Sequence, residues 1–280
     1  MNTPNISPTT LDAVLPVGPH DEKRVELLVD SLNRFAIGLG TLHIVAPRDT
    51  LAVLKNTLRI SNEAFRGVEW HEDGVLVPEA RFLDVGGGWV RQMIIKLAIA
   101  EHIGTEFYMT LDADVVATRT FSAKDLFMDG RAHCGVDHEN KHSLWYEQSA
   151  KTLRIRPVRA GISHNVTPAI LHRPTVLALI DHLRALARRK FWVANRKGQN
   201  AWRTYLATRR WTEYAMYYTF AEATGAFERF HFETARNLCT TMSSQLVSDG
   251  VTRRLGCERV FRRRRTSIFC RRAINRRSAV

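Results

Sequence analysis

Hydrophobic residues in the first half of the chain form short apolar runs in some segments and recur with helical spacing in others. This alternation predicts strands separated by helices. Short apolar runs predict strands over residues 11–17, 42–46, 75–78 and 107–111. Between them, helical spacing and capping signals predict helices over residues 22–34, 49–58 and 85–103, and a later helix over 174–188. The strand, helix, strand order is typical of a parallel sheet, so the sequence predicts an α/β fold.

The segment FYMTLDADVVATRTF, residues 107–121, contains an apolar strand followed by Asp112 and Asp114. Side chains alternate in an extended chain, so we expect both carboxylates on one face. Paired carboxylates suit Mg²⁺ or Mn²⁺ carrying a phosphate-bearing ligand. In open α/β sheets the ligand crevice lies at the carboxyl ends of strands, where this pair falls. A turn or a helix cap is the alternative interpretation of the same residues.

Composition narrows the class of protein. Of 280 residues, 45% are hydrophobic, which is enough for a substantial core. No run of 18 or more apolar residues and no N-terminal signal pattern occur, so a cytoplasmic location is expected. The four cysteines are scattered without a C-x-x-C pair, which fits free thiols in a reducing compartment.

The net charge of +13 is concentrated near the C-terminus. Residues 251–280 hold eleven Arg and one Glu, a balance of +10, whereas the other 250 residues hold 30 basic and 27 acidic groups, a balance of +3. We therefore predict an enzyme-sized domain over residues 1–250 and an Arg-rich tail over 251–280. An anionic membrane surface is the partner we favour for this tail over nucleic acid, and a flexible solvated segment is the alternative.

Several polar and aromatic residues are candidates for ligand contacts. Arg91 and Lys96 lie in the helix predicted over 85–103, where Gln92 shares a side with Lys96, and they are candidate cations near a diphosphate or ordinary surface residues. Trp145 can stack on a sugar ring or belong to the core. His164 and Asn165, in a loop before Pro168, are candidates for recognising hydroxyl groups.

Residues 138–142 match H-E-x-x-H, the zinc-protease pattern, through His138 and His142. That pattern requires a stable helix with both histidines on one face, and little apolar periodicity surrounds it here. A polar loop near a substrate is the interpretation we prefer, with a zinc hydrolase as the alternative.

Glu213 lies in the aromatic stretch RWTEYAMYYTF, residues 210–220. An acid among rings is poorly solvated, so it must be paired, hydrogen-bonded or raised in pKa. Such a setting suits a general base, and a helix start near Thr212 is the alternative. In Phe230-His231-Phe232, a strand would place His231 opposite both rings, as a structural residue or a metal ligand.

Four motifs occur in one order: GWVRQMIIKLA, FYMTLDADVVATRTF, HNVTPAIL and WTEYAMYYTF. Together they resemble a bacterial family assigned as glycosyltransferases, within the nucleotide-diphospho-sugar transferase superfamily. The resemblance covers roughly residues 10 to 235. It implies a single Rossmann-like domain of the GT-A type, with a mixed, mainly parallel central sheet flanked by helices.

The same resemblance implies a hexosyltransferase-type enzyme that takes a nucleotide-sugar donor, often a UDP-sugar, and a glycan or lipid-linked acceptor. It implies that Asp112 and Asp114 hold Mn²⁺ or Mg²⁺ on the donor diphosphate, with His231 as our choice for a third ligand. The implied donor side consists of Val14, Pro16, Asp21 and Asp112, and we add Arg91, Gln92 and Lys96 as our own candidates. The implied acceptor side consists of Trp145, His164, Asn165, Trp211 and Glu213, and our own candidates for the catalytic pair are Glu213 and Asp114.

A non-catalytic α/β binding module that uses the Arg-rich tail is the competing hypothesis. Such a module would lose its function with the tail, whereas a transferase would keep donor turnover.

Overall fold

The computed structural model describes residues 10–78, 88–137, 143–159, 163–164, 167–190, 201–234, 239–242 and 269–272. The helices in these ranges are α1 (Glu22–Phe35), α2 (Arg48–Thr57), α3 (Asp73–Leu76), α4 (Trp89–Ala98), α5 (Ser143–Leu153), α6 (Arg173–Lys190), α7 (Ala201–Ala207), α8 (Glu213–Ala223) and α9 (Ala226–Phe230). Single 3₁₀ turns cover Ile99–Glu101 and Ala123–Leu126. The strands are β1 (Asp12–Pro16), β2 (Ala36–Ile37), β3 (Leu39–Ala46), β4 (Phe65–Glu72), β5 (Phe107–Thr110), β6 (Val115–Ala117), β7 (Phe121–Ser122), β8 (Phe127–Met128), β9 (Arg131–Asp137), β10 (Ser163–His164), β11 (Ala169–His172), β12 (His231–Thr234), β13 (Cys239–Met242) and β14 (Phe269–Arg272).

A five-stranded sheet in the order β11-β5-β1-β3-β4 forms the centre of the fold. Strands β5, β1, β3 and β4 run parallel, and β11 pairs antiparallel with β5. This arrangement confirms the predicted mixed, mainly parallel sheet flanked by helices.

The inner strands are buried on both faces, as strands covered by helices must be. Val14 and Tyr108 face one apolar core, which contains residues of α4, α6 and α8. Leu15 and Met109 face a second core, which contains residues of α1 and α2. The sheet therefore separates two hydrophobic layers. Helices α1 and α2 pack an apolar stripe against one layer, whereas α8 is buried on nearly every side within the other.

The predicted third strand is wrong. Residues 75–78 were expected to be extended, but Asp73–Leu76 forms the short helix α3. The strand in this part of the chain is β4, which precedes α3 and pairs with β3 from Leu39↔Phe65 to Ala46↔Glu72. An edge strand such as β4 has few buried positions, so its hydrophobic alternation is weak.

Four residues of the predicted tail form a strand. Within 251–280 the structure describes 269–272, which is β14. Strand β14 pairs antiparallel with β6 and parallel with β13, so this part of the Arg-rich segment belongs to the folded domain. Among the described residues, no helix has both the length and the apolar character needed to cross a bilayer.

Candidate active site

The carboxyl ends of β1 and β5 lie side by side where the order of the sheet reverses. From β1 the chain extends outward to β3 and β4, whereas β5 lies on the other side of β1. The amide of Leu111 donates to the carbonyl oxygen of Val14 at 2.8 Å, so the two strands stay paired to their ends. In doubly wound sheets a ligand crevice forms at this reversal. Residues after Pro16 and Leu111 therefore border the candidate site.

Asp112 and Asp114 lie in a turn that follows β5. The strand ends at Thr110, and the amide of Val115 donates to the carbonyl oxygen of Asp112 at 3.1 Å. Asp112 is buried and Asp114 is half-buried. The expectation that both project from one face of an extended strand is wrong, because the backbone turns between them. Both still follow the carboxyl end of β5.

A buried ammonium joins Asp112 to a second carboxylate from a distant helix. Lys96 Nζ donates to Asp112 Oδ1 at 2.7 Å and to Glu213 Oε1 at 2.8 Å. The side chains of Lys96, Asp112 and Glu213 are 3%, 12% and 7% exposed. Buried charges are tolerated when they are paired and hydrogen-bonded, as these are. These three residues are named the Lys96 cluster below.

Lys96 stays charged in this environment. Burial alone would lower the pKa of Lys96, but the charges of Asp112 and Glu213 raise it well above its ordinary value. Its third oxygen partner is the hydroxyl of Tyr214 at 3.1 Å, which also lies 2.9 Å from Thr110 Oγ1. Burial raises the pKa of Tyr214 to about 12, so this hydroxyl stays neutral near pH 7.

Helix α4 presents two residues to Asp112. Gln92 Nε2 donates to Asp112 Oδ1 at 3.3 Å, next to the bond from Lys96. The two are neighbours at i and i+4, so the prediction that they share a side of the helix is confirmed. The hydroxyl of Tyr108 in β5 donates to the carbonyl oxygen of Lys96 at 2.8 Å, which holds α4 against the sheet. Lys96 is enclosed by carboxylates, so the structure favours a role in positioning Asp112 over direct contact with a diphosphate.

Glu213 is the first residue of α8. The side chain of Thr212 caps this helix by accepting from the amide of Ala215 at 3.3 Å. The helix start near Thr212 is therefore confirmed, and Glu213 is buried and paired with Lys96, as an acid in an aromatic wall requires, while its role as a general base stays a prediction.

Two other residues expected near the donor have partners of their own. Asp21, which precedes α1, accepts from Arg24 Nη1 at 2.7 Å. Arg91 Nη2 lies 2.8 Å from Asp73 Oδ2 in an ion pair between α4 and α3. Asp21 follows β1 and thus remains beside the crevice, whereas Arg91 links two helices.

The tryptophans expected near the acceptor lie in different surroundings. Trp145 is half-buried and packs edge-on against Trp89, with 5.3 Å between the ring centroids, and Trp89 is 42% exposed. Trp211 is 1% exposed, and its indole N–H donates to the carbonyl oxygen of Leu206 at 3.0 Å. The structure therefore keeps Trp145 as a candidate stacking surface and argues against Trp211, which belongs to the core.

His164 belongs to a buried polar group near the C-terminal end of α8, where Glu222 lies. Its Nε2 lies 3.3 Å from Glu233 Oε1, and Arg159 Nη1 bonds to the same oxygen at 2.5 Å. Burial lowers the pKa of His164 to about 4 and raises the pKa of the adjacent Glu222 to about 7. His164 is therefore neutral near pH 7, and its other ring nitrogen, Nδ1, lies 3.3 Å from the hydroxyl of Tyr146.

His231 lies in an aromatic cluster at the other end of β5. Its Nε2 lies 2.7 Å from the hydroxyl of Tyr217, and its ring centroid lies 6.5 Å from that of Phe107, the first residue of β5. Asp112 follows that strand five residues later, roughly 16 Å along an extended chain. Burial lowers the pKa of His231 to about 3. This placement argues against the expected role of His231 as third metal ligand.

Three residues named from the sequence, Asn165, His138 and His142, lie outside the described residues. Conversely, the sequence did not single out Thr110 or the bond that Lys96 donates to Tyr214. A signal existed for Tyr214, because it directly follows Glu213, but nothing local indicates that α8 reaches α4.

The fold is an α/β domain with a mixed, mainly parallel central sheet flanked by helices, and a comparison with solved structures agrees on this fold. The chain is similar to the crystal structure of mouse xyloside xylosyltransferase 1 in its apo form, with a TM-score of 0.51 and 13% sequence identity. The match covers 97% of this chain and 99% of the mouse chain. Identity this low shows the fold alone.

The chain belongs to a family of unknown function (DUF6492), whose model matches residues 8–271. Among curated proteins, none matches it.

Proposed function

We propose that this protein is a metal-dependent glycosyltransferase, which moves a sugar from a nucleotide-sugar donor to a hydroxyl group of a glycan or lipid-linked acceptor. One observation carries the proposal: the Lys96 cluster fixes Asp112 at the carboxyl end of β5, beside the end of β1, where folds of this type bind ligands. The structural likeness to the mouse xylosyltransferase supports the fold on which the proposal depends.

The residues at the site fit a divalent cation. Asp112, Asp114 and Glu213 contribute three carboxylates, and Lys96 contributes one ammonium, so these four side chains together favour further positive charge. Hard oxygen ligands suit Mn²⁺ or Mg²⁺, and Asp112 and Asp114 would hold the ion. When bound, such an ion would offset the negative charge that grows on the departing diphosphate.

The protein's own contribution is to hold these groups in place before the donor arrives. Lys96 and Gln92 both donate to Asp112 Oδ1, so this carboxylate is held in one orientation before the donor binds. Burial of the Lys96 cluster lowers the local dielectric and strengthens these interactions. Asp21 borders the same crevice from the β1 side, where we place the nucleotide, with UDP as the first choice. Val14 and Pro16 are buried within β1, which argues against their expected contact with the donor.

Two residues are proposed for the acceptor half of the reaction. Glu213 is the candidate base that removes the proton from the attacking hydroxyl, and Trp145 is the candidate surface for a sugar ring.

Glu213 also accepts a hydrogen bond from Lys96, so its role as a base must be separated from its role in positioning Lys96. Glu213→Gln keeps an oxygen for Lys96 and removes the basic group. Donor hydrolysis that falls at least tenfold without a loss of thermal stability supports the base, whereas unchanged hydrolysis assigns Glu213 to positioning alone.

The decisive experiment is a thermal-shift and hydrolysis panel on the full chain, with nucleotide sugars in the presence and absence of Mn²⁺. UDP-xylose belongs in the panel because the mouse enzyme is named a xylosyltransferase. We expect Mn²⁺-dependent stabilisation by one donor, since a ligand that binds the folded state raises Tm. Asp114→Asn should abolish it, whereas the matched control Asp181→Asn, on the outer surface of α6, should not.

Equal binding and hydrolysis in the parent and in Asp114→Asn would end the proposal, as would a panel in which no nucleotide sugar stabilises the parent.

The anionic membrane surface stays a prediction for the Arg-rich segment. Replacing Arg262, Arg263, Arg264 and Arg265 with Ser should weaken binding to phosphatidylserine vesicles and leave donor hydrolysis unchanged.

A further inference from the structure

A second polar group lies on the edge of the central sheet, away from β5. His43 in β3 is the register partner of Glu69 in β4, and His71 follows Glu69 by two residues. Side chains two apart on a strand point to the same face, so all three lie together. They are named the His43 group below.

The potential ligand atoms of this group converge. His43 Nδ1 lies 3.0 Å from His71 Nε2 and 3.4 Å from Glu69 Oε2, and His71 Nε2 lies 3.5 Å from the same oxygen. Zinc binds imidazole nitrogen and carboxylate oxygen at about 2.0–2.1 Å, which places neighbouring ligands of a tetrahedron about 3.3 Å apart. The three measured separations match three edges of such a tetrahedron.

The carboxylate of Asp12 lies near the second ring nitrogen of His43, the most buried of the three residues. His43 is 1% exposed, its Nε2 has no hydrogen-bond partner among the described residues, and Asp12 Oδ2 faces that nitrogen at 3.7 Å. Metal-bound histidines usually direct their second ring nitrogen to a carboxylate in this way. Asp12 is fixed by the amide of Thr41, which donates to Oδ1 at 2.7 Å. Glycine at position 40 leaves room for this carboxylate, because a Cβ there would lie 2.1 Å from the same oxygen and displace it.

The ligand set selects the kind of ion. Two imidazole nitrogens and one carboxylate oxygen suit Zn²⁺, whereas Mg²⁺ and Ca²⁺ prefer oxygen ligands throughout. The side chain of Glu69 is 55% exposed, so an ion can enter from solvent and keep a water as its fourth ligand.

We propose that His43, Glu69 and His71 form a zinc site that ties the edge strand β4 to β3. The site is independent of the proposed transferase activity, since its ligands lie on β3 and β4 while Asp112 follows β5. Its effect is to stabilise a strand that, within the described part of the chain, has a ladder partner on one side only.

The test is zinc titration of the chelator-treated full chain against a chromophoric competitor, with Tm and the Co²⁺ absorption spectrum as second readouts. The parent should bind one zinc at this site, gain Tm with zinc and give a tetrahedral Co²⁺ spectrum. His71→Gln should lose the site, and Glu69→Gln should bind at least tenfold more weakly. Glu69 is exposed, so its substitution tests the ligand role without disturbing the core.

Two controls keep the result specific. His102→Ala removes an exposed neighbouring imidazole, 5.7 Å from the His71 ring between centroids, and should keep zinc. Asp114→Asn removes a proposed ligand of the other metal and should also keep zinc. A parent that binds no zinc would overturn the proposal and leave a hydrogen bond between His43 and His71. So would His71→Gln and Glu69→Gln variants that both bind zinc like the parent.

Discussion

The Lys96 cluster and the His43 group are both polar groups on the central sheet, but they are built from opposite kinds of chemistry. The first has two carboxylates and one ammonium, all buried, and its ammonium donates to both carboxylates. The second has two imidazoles whose lone pairs converge with one exposed carboxylate. The comparison teaches that closeness of acids alone does not define a metal site. The counter-charges already present decide what each group can still bind.

The largest expected effect is the loss of the ammonium. Lys96→Met leaves the carboxylates of Asp112 and Glu213 buried without their shared partner, and breaking a buried pair costs about 3–5 kcal/mol. The free energy of unfolding in urea measures this cost. Lys55→Met, an exposed change on α2, should cost under ~1 kcal/mol. A Lys96→Met variant as stable as the Lys55→Met control would mean that the cluster contributes no stability.

A crossed experiment separates the two groups by their ions. Ligand at 100 times its Kd stabilises the folded state by about 2.7 kcal/mol. Asp114→Asn should lose this gain for Mn²⁺ with donor and keep it for Zn²⁺, and His71→Gln should do the reverse. Thermal shifts with each ion measure both. If both substitutions abolish both gains, the two groups are coupled and the contrast drawn above fails.

We expect acid to lower the free energy of unfolding through the buried histidines and not through Lys96. The folded pKa is about 4 for His172 and about 3 for His231, because burial lowers both below the ordinary 6.5. The unfolded chain therefore binds more protons below pH 6.5, so the free energy of unfolding falls as pH drops, by up to ~1.4 kcal/mol per pH unit for each ring. Glu222, whose pKa is raised to about 7, opposes this between pH 7 and 4.5.

The contribution of Lys96 to the free energy of unfolding is lost at high pH and not at low pH. Its folded pKa lies above the unfolded value of 10.5, so its contribution is complete below that value and is lost only as pH rises through the folded pKa. Urea unfolding at pH 7 and pH 5 tests the acid prediction, with His231→Phe expected to show a smaller acid loss than the parent. An equal loss in the variant would assign the sensitivity to other groups.

The smallest expected effect concerns the aromatic pair at the surface. Trp145→Ala removes the edge contact with Trp89 and should cost about 1 kcal/mol of unfolding free energy. Donor hydrolysis should stay unchanged, because water takes the place of the acceptor in that reaction. A fall in hydrolysis comparable to that of Asp114→Asn would move Trp145 to the donor side.

The inner elements could be predicted from sequence, because burial imposes a continuous apolar run on β1 and β5 and a clear stripe on α1. The exposed edge strand β4 could not, since it buries few residues and its pattern is weak. In the site, the spacing of Gln92 and Lys96 was readable from helical geometry. The bond from Lys96 to Glu213 joins residues 117 positions apart, and no local pattern encodes it.

The pairing of β14 with β6 has a consequence for how this part of the fold is made. Strand β6 follows Asp114 directly, yet its partner lies more than half of the chain further on. Synthesis proceeds from the N-terminus, so the nascent protein carries β6 long before β14 is made. A chain that stops before residue 269 would therefore leave β6 without this partner.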